Sequence, residues 1–455
     1  MLHERPTAEW QTMDTHHLHP FTDSKALANK GSRVITSAEG VYLWDSEGHR
    51  LLDGMAGLWC VNVGYGRKEL AQAAFDQMQA LPYYNTFFQS AHPPVIELTQ
   101  KLVEVSPPQF NHVFFVNSGS EANDTVLRMV RRFWSLQDQP EKRVVISRHN
   151  AYHGSTVAGA SLGGQKPIHA MDQLPIPDIV HIEQPHWFEN GGDLTPDEYG
   201  RKAAQALEEK IQELGVDRVA AFIGEPIQGA GGVIVPPDTY WPEIQRICEQ
   251  HGILLICDEV ITGFGRTGEW FVAEHFGITA DLMPIAKGLS SGYLPIGGVL
   301  VGDRVADVLI EQGGEFAHGF TYSGHPAACM VALRNVEILQ REKIVDHVRD
   351  EVAPYFKERW QEFREHPLVG EVRNVGLLGA IELVQDKAAR SFFPERGKTG
   401  TRARELCAEN GLIMRAVQDT LVASPPLVIS NAEIDEMHDK ATKTLDQLAE
   451  ELGVN

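Results

Sequence analysis

The sequence predicts an α/β protein, with a large domain on a mainly parallel central sheet and a small α+β domain beside it. Three observations predict it. Between about residues 112 and 302, short apolar runs without polar alternation recur, as strands buried on both faces of a parallel sheet require. Stretches of helical period separate those runs. The two flanks lack this alternation and read as a hairpin at one end and as helices with short strands at the other.

Taken in order, GVYLWDSEGHRLLDG (40–54) reads as a hairpin turning at 46–49. The central strands are expected at VFFVN (113–117), RVVIS (143–147), VAAFIG (219–224), ILLICD (253–258), DLMPIA (281–286) and IGGVLV (296–301). Between them, YWPEIQRICEQHG places Tyr240, Ile244, Ile247 and Cys248 on one helix face, and Gly252 supplies a C-terminal stop. Beyond about residue 330 the strand candidates are LLGAIELV (377–384), LIMR (412–415) and LVAS (421–424). A chain of 455 residues exceeds the size at which single cores stop growing. The expected division is a large domain over 67–330 and a small domain from both chain ends, 1–66 and 331–455, bridged by a long helix that starts after Pro326.

Composition narrows the function classes. An apolar fraction of 43% with 22% charged residues suits a globular protein with a sizeable core. The formal net charge of -22, with no Lys/Arg block, disfavours nucleic acid and anionic lipid as partners. Five cysteines, Cys60, Cys248, Cys257, Cys329 and Cys407, form no C-x-x-C pair and suggest reduced thiols; no metal site is expected. MLHERPTAEW lacks the apolar core of a leader, and no segment is apolar for long enough to span a bilayer, so a cytoplasmic enzyme or binding protein is expected.

Three segments suggest chemistry. NSGSEAND (117–124) follows an apolar run and opens a helix in which Ala122, Val126, Met129 and Val130 share a face. Backbone N–H groups of Gly119 and Ser120 at its N-terminus would favour an anion such as a phosphate, although a serine before an acidic residue is also an ordinary cap. ILLICDEVITGFGRTG ends a strand in Asp258 and Glu259. Ligands of open α/β sheets collect at the carboxyl ends of strands; a buried Asp258 there needs a cationic or protonated partner, whereas an isolated strand-end aspartate can simply cap a turn.

Lys287 lies among Leu282, Met283, Ile285, Ala286 and Leu289. Desolvation lowers a lysine pKa and leaves part of the amine neutral and nucleophilic toward carbonyls; the alternative is a snorkelling lysine whose head reaches water. A phosphate cradle, a strand-end aspartate and an apolar-flanked lysine on one crevice are together what a pyridoxal phosphate site requires.

The chain resembles the class III pyridoxal-phosphate aminotransferases, of aspartate-aminotransferase-like fold type I. The likeness runs over nearly the whole sequence, from GVYLWDSEGHRLLDG and FFVNSGSEAN through AYHGST, GEPIQGAGG, DEVITGFGRTG and DLMPIAKGLSSGYLPIGGV to TYSGHP. The ω-amine:pyruvate transaminases are the most similar subgroup. The resemblance implies that Lys287 holds the cofactor aldehyde as an imine and that Asp258 pairs with the protonated pyridine nitrogen. Gly119 and Ser120 would bind the phosphate, Tyr152 would stack on the ring, Val260 would pack on its other face, and Glu225 would orient nearby groups. Thr321 would reach the phosphate of the neighbouring subunit, which implies a homodimer or a tetramer built from it. An amine would displace Lys287, whose freed amine would then carry a proton between substrate and cofactor carbons, and a keto acid would reverse the sequence in ping-pong order.

Family members that use glutamate commonly carry Glu where this chain has Ala230, and often Gln where it has Ile261. Both departures point away from glutamate as amino donor. Arg415 matches the subgroup's mobile arginine, which grips the carboxylate of alanine or pyruvate and swings away for an amine; a guanidinium suits that bidentate geometry. Leu58, Trp59, Phe87, Phe88 and Phe21 would build apolar substrate walls beside Tyr152, although aromatic runs are more often plain core. The implied activity moves the amino group of a primary amine, diamine or ω-amino acid to pyruvate, giving alanine and an aldehyde or ketone. Aminomutases, racemases and decarboxylases share the fold and cofactor and are the rival class; a non-catalytic cofactor-binding regulator is disfavoured by Lys287, Asp258 and Tyr152 all being present.

Overall fold

A computed structural model describes residues 5–454; residues 1–4 and 455, which belong to the expected leader-free N-terminus and to the ends of the expected small domain, lie outside them. Fifteen strands are found among the described residues. In chain order they are β1 (Ile35–Glu39), β2 (Tyr42–Asp45), β3 (Arg50–Asp53), β4 (Phe110–Val116), β5 (Val144–Arg148), β6 (Ile179–Ile182), β7 (Val219–Gly224), β8 (Leu254–Cys257), β9 (Leu282–Ile285), β10 (Gly297–Gly302), β11 (Val369–Val375), β12 (Leu378–Leu383), β13 (Leu412–Ile413), β14 (Arg415–Val417) and β15 (Thr420–Ala423).

Strands β4 to β10 form one seven-stranded sheet in the order β4-β10-β9-β8-β7-β5-β6. All run parallel except β10, which is antiparallel to both of its neighbours. Strands β5, β7, β8, β9 and β10 are buried along their whole length, which is why they read as unbroken apolar runs. The reversed β10 begins with two glycines, and a Cβ at Gly297 would lie 2.8 Å from the Ser118 carbonyl oxygen, so the strand can pass this close only without a side chain. The sequence reading gave no strand at β6. It is an edge strand of four residues, half-buried at its centre where His181 interrupts the apolar run.

Helices cover the sheet, and one of them opens the site. The helix Gly119–Leu136 is capped by Ser118, whose Oγ accepts from the Glu121 N–H at 3.2 Å, while Glu121 Oε2 accepts from the Asn117 N–H at 2.7 Å. Its inner face buries Ala122, Val126, Met129 and Val130, the face expected from spacing. Each fully buried aliphatic chain there contributes about 1.5–3 kcal/mol relative to exposure.

The two chain ends meet. The hairpin β2–β3 turns at 46–49, where the Asp45 carboxylate accepts from the N–H groups of Glu47 and His49. In the sheet β1-β2-β3-β13, Leu52 pairs in parallel with Leu412. The segment LIMR is not one strand: residues up to Ile413 pair with β3, and from Arg415 the chain pairs with β15 in the antiparallel sheet β11-β12-β15-β14. Met414 between them is buried. The helix expected after Pro326 runs to Arg341, packs on helices Lys68–Ala80 and Pro93–Val105, and crosses the 330/331 position. The five cysteines are free thiols, and among the described residues no helix is long and apolar enough to cross a membrane.

Candidate active site

The carboxyl ends of β4, β5, β7, β8 and β9 open on one cavity of about 410 Å³, lined among others by Gly119, Ser120, Tyr152, Glu225, Asp258, Val260 and Lys287. One edge of the parallel strands thus gathers residues spread from 117 to 296.

Asp258 follows the last paired residue of β8 and is buried. Its Oδ2 accepts from His153 Nδ1 at 2.7 Å and from Asn123 Nδ2 at 2.8 Å, and its Oδ1 accepts from the Val260 N–H at 3.1 Å. The partner demanded by a buried carboxylate is therefore His153, with Asn123 beside it. Sequence reasoning gave neither residue a role, although His153 stands next to Tyr152 in AYHGST and Asn123 lies on the inner face of the capped helix. His153 Nε2 is buried without a hydrogen-bond partner among the described residues, and its ring is bound to Asp258 through Nδ1.

Gly119 and Ser120 are the first two residues of their helix, so their N–H groups have no acceptor within it. Both residues line the cavity. The wall around them is tight: a Cβ at Gly119 would meet Val260 Cγ1 at 2.9 Å, and one at Gly154, whose φ is 126°, would meet Ser120 Cα at 2.7 Å. Ser120 Oγ accepts from the Ser155 N–H at 3.1 Å, closing the cradle.

Tyr152 is fixed through its backbone. Its N–H donates to Glu225 Oε1 at 3.0 Å, and Glu225 Oε2 accepts from the Gly229 N–H at 3.0 Å. Burial pushes the Glu225 carboxyl up from its ordinary value. The Arg148 guanidinium donates to the Glu225 backbone carbonyl, tying the end of β5 to the end of β7.

Lys287 begins a 3₁₀ turn, Lys287–Leu289, with its backbone in the left-handed region at φ 45°. Gly288 and Leu289 are buried, while the lysine itself keeps a partly open surface toward the cavity. Desolvation lowers its ammonium pKa, and the nearby Asp258 charge pulls the other way without cancelling the shift.

Outside the lining residues of the cavity, but near enough to Lys287 and Tyr152 for their charges to interact, the Arg415 guanidinium lies 4.8 Å from the Trp59 ring centroid and has no acidic partner within salt-bridge distance among the described residues. Burial lowers its pKa. Trp59 ends a strained turn in which Ala56, Gly57 and Trp59 all have positive φ. Asp53 holds that turn by accepting from the N–H groups of Met55 and Gly57 and from the Tyr65 hydroxyl. Ala230 and Ile261 are buried in the same apolar cluster as Trp59, with Tyr152 packed against it.

The remaining expected pocket residues are not brought to this cavity within one chain. Leu58 is 57% exposed and Phe21 78% exposed. Phe87 and Phe88 line a separate surface depression with Phe316 and His318. Thr321 is also exposed, and its carbonyl accepts from the Tyr83 hydroxyl at 2.7 Å. All five sit on outward-facing loops or short turns of the single chain.

The family model described as aminotransferase class-III matches residues 26–445. The chain is a class III aminotransferase. It is 62% identical over 444 residues to a putrescine–pyruvate aminotransferase of Pseudomonas aeruginosa, covering 97% of each chain. A diaminobutyrate–2-oxoglutarate transaminase of Halomonas elongata is 41% identical, covering 96% of this chain and 94% of that one. The crystal structure of the omega transaminase from Pseudomonas jessenii in complex with PMP superimposes with a TM-score of 0.95 at 40% identity, covering 97% of this chain and 99% of that one.

As a class III aminotransferase the protein uses pyridoxal phosphate. Its cavity fits that group on three counts. The two free helix N–H groups and the glycine-tight cradle suit a phosphate. The buried Asp258, held by hydrogen bonds from a histidine and an asparagine, suits a protonated ring nitrogen. The amine of Lys287, held down in pKa, suits an aldehyde.

Proposed function

We propose that this aminotransferase transfers the amino group of putrescine or a related primary amine to pyruvate, giving an aldehyde and alanine. The observation that carries the acceptor side is Arg415, a cation near enough to Lys287 and Tyr152 for their charges to interact and without an acidic partner within salt-bridge distance among the described residues. Such a guanidinium suits the carboxylate of pyruvate and can lie back on the Trp59 face when a carboxylate-free amine occupies the cavity. The donor side is supported by the likeness to the putrescine–pyruvate aminotransferase. Ala230 and Ile261 offer no polar group to a second carboxylate, in keeping with a donor other than glutamate.

Pyridoxal phosphate, when bound, supplies an aldehyde that captures amines covalently and a ring that withdraws electrons. This chain's residues do the rest. Gly119 and Ser120 would hold the phosphate and Tyr152 and Val260 would pack on the ring, while Glu225 fixes the Tyr152 backbone. Asp258, held in place by His153 and Asn123, would face the pyridine nitrogen as its hydrogen-bond partner. Lys287 Nζ would hold the cofactor through its aldehyde and, once free, would be the group placed to move the proton of the amine-bearing carbon. Burial lowers its pKa from the ordinary lysine value, which favours the neutral amine that such a transfer needs.

In this reading the enzyme works in the cytoplasm as a homodimer, or a tetramer built from two such dimers, in which the exposed Thr321, Leu58, Phe21 and Phe88 and the half-buried Phe87 of one subunit complete the phosphate and substrate walls of the other. The division into 67–330 and the two chain ends, 1–66 and 331–455, belongs to the same reading. The test is a panel of amines against pyruvate and 2-oxoglutarate, following alanine and glutamate. Alanine formed with putrescine is the expected result, and the enzyme given amine alone should stop after one half-turnover. No alanine with any amine would overturn the proposal.

A further inference from the structure

We propose that Asn335 is a positioning residue for Lys287, holding the turn that aims its amine at the reacting atoms. The inference rests on the role given to Lys287 above. Lys287 has φ 45°, and Ala286 before it is at φ -165°, ψ -146°, so the chain turns sharply into a conformation that residues with a Cβ rarely adopt. Such a backbone persists only where its surroundings over-determine it. The turn's own bonds are few: the Leu289 N–H donates to the Ala286 carbonyl at 2.9 Å, and the Ser290 N–H reaches the Lys287 carbonyl at 3.3 Å.

What fixes the turn comes from another element. Asn335, on the helix Pro326–Arg341, is fully buried, and its side-chain amide donates to the Gly288 carbonyl at 2.9 Å and to the Leu289 carbonyl at 3.0 Å. Both carbonyls belong to the residues that directly follow the lysine. Among the described residues Asn335 Oδ1 has no hydrogen-bond partner, and both bonds of its amide nitrogen are spent on the turn.

The opposite side is closed by contact. A Cβ at Gly288 would lie 2.5 Å from Asn62 Nδ2 and 3.1 Å from Phe264 Cβ, and Asn62 is itself engaged with the Phe264 carbonyl and with Arg266. The turn is thereby seated between a rigid wall and a two-pronged donor. Lys287 must alternate between a tethered state and a free amine that moves a proton, and its reach in the free state is set by where this turn points its Cα–Cβ bond. Removing the donor leaves the Leu289 carbonyl without that bond and the Gly288 carbonyl with only the long 3.4 Å bond from the Ser291 N–H, and lets the turn relax toward the right-handed region.

The test compares the cofactor-loaded wild type with Asn335→Leu, which removes the donors at similar volume, and Asn335→Asp, which keeps the shape and reverses the polarity. The first readout is the pH titration of the visible absorbance of the bound cofactor, which reports the covalent link to Lys287 and needs no amine substrate. Its midpoint is expected to move by roughly half a pH unit or more. The second is steady-state kinetics, in which kcat is expected to fall about 30-fold with KM for amine and keto acid changed less than about threefold, since a misaimed group slows chemistry more than binding. An unmoved midpoint with unchanged kcat in a loaded, folded variant overturns the proposal. So does a loss of rate that only tracks the fraction of cofactor-free enzyme, or failure of both variants to fold, either of which assigns Asn335 to the fold alone. Failure of every amine in the substrate panel would sink the substrate reading and leave the absorbance titration to decide this one.

Discussion

Replacing Arg415 by leucine separates the two halves of the reaction. The guanidinium is half-buried, lies 4.8 Å from the Trp59 ring centroid and has no carboxylate within salt-bridge distance among the described residues. A charge-assisted hydrogen bond contributes about 1.5–3 kcal/mol, and a bidentate grip on a keto-acid carboxylate, offset by desolvation, comes to about 3 kcal/mol in all. At about 1.4 kcal/mol per decade, kcat/KM for pyruvate should fall roughly 150-fold. An amine without a carboxylate loses no such bond, and its half-reaction should change by less than about threefold. Stability should hold, because the substitution removes a half-buried cation without a salt bridge and forfeits only a cation–π contact of about 0.5–2 kcal/mol. Single-turnover absorbance measurements resolve the two half-reactions, and thermal unfolding checks the fold. Equal losses in both halves would refute the assignment of Arg415 to the substrate carboxylate.

Three further outcomes follow from the geometry. Lys287→Ala should retain cofactor through Asp258 and the phosphate cradle while losing the covalent bond and turnover, as measured by borohydride trapping and alanine formation; retained transamination would contradict the role given to Lys287. Gly119→Ala sets a methyl 2.9 Å from Val260, and overpacking of that kind costs about 1–3 kcal/mol, so cofactor affinity measured by fluorescence titration should fall by roughly 5- to 150-fold. Burial alone would raise the Glu371 carboxyl, but Arg373 and His186 outweigh it and hold it at about 2, below its ordinary 4.5. A folded-state pKa depressed in this way gives stability that is present above pH 4.5 and is lost as pH falls toward 2, about 3 kcal/mol at most. Urea unfolding between pH 6 and 2.5 should show a shallower acid loss in Glu371→Gln than in wild type.

Much of the site was legible because its residues stand where strands end. VAAFIG coincides with β7, and ILLICD and DLMPIA each overran their strand by one residue at either end, which left Asp258 and Lys287 correctly placed at the crevice. Glycines marked the cradle for a physical reason, since Gly119 and Gly154 stand where a Cβ would collide. His153, Asn123 and Asn335 were not legible. Each acts through a partner far away in sequence, and a buried histidine or asparagine has no local signature apart from the contact it makes in the fold. The break in LIMR escaped for a similar reason, because the apolar run does not reveal that its two halves serve different sheets.

The parallel pairing of Leu52 with Leu412 bears on how the chain is made. A ribosome releases the hairpin β2–β3 long before β13 exists, so the far edge of β3, with Leu51 and Leu52 destined for burial, waits unpaired through most of synthesis. Arg415 and the Asp53 turn that carries Trp59 are set in register by this last closure. Nascent chains truncated before residue 412 should therefore bind the cofactor cradle's neighbours poorly and aggregate through that edge, and the substrate rim would be the last part of the enzyme to mature.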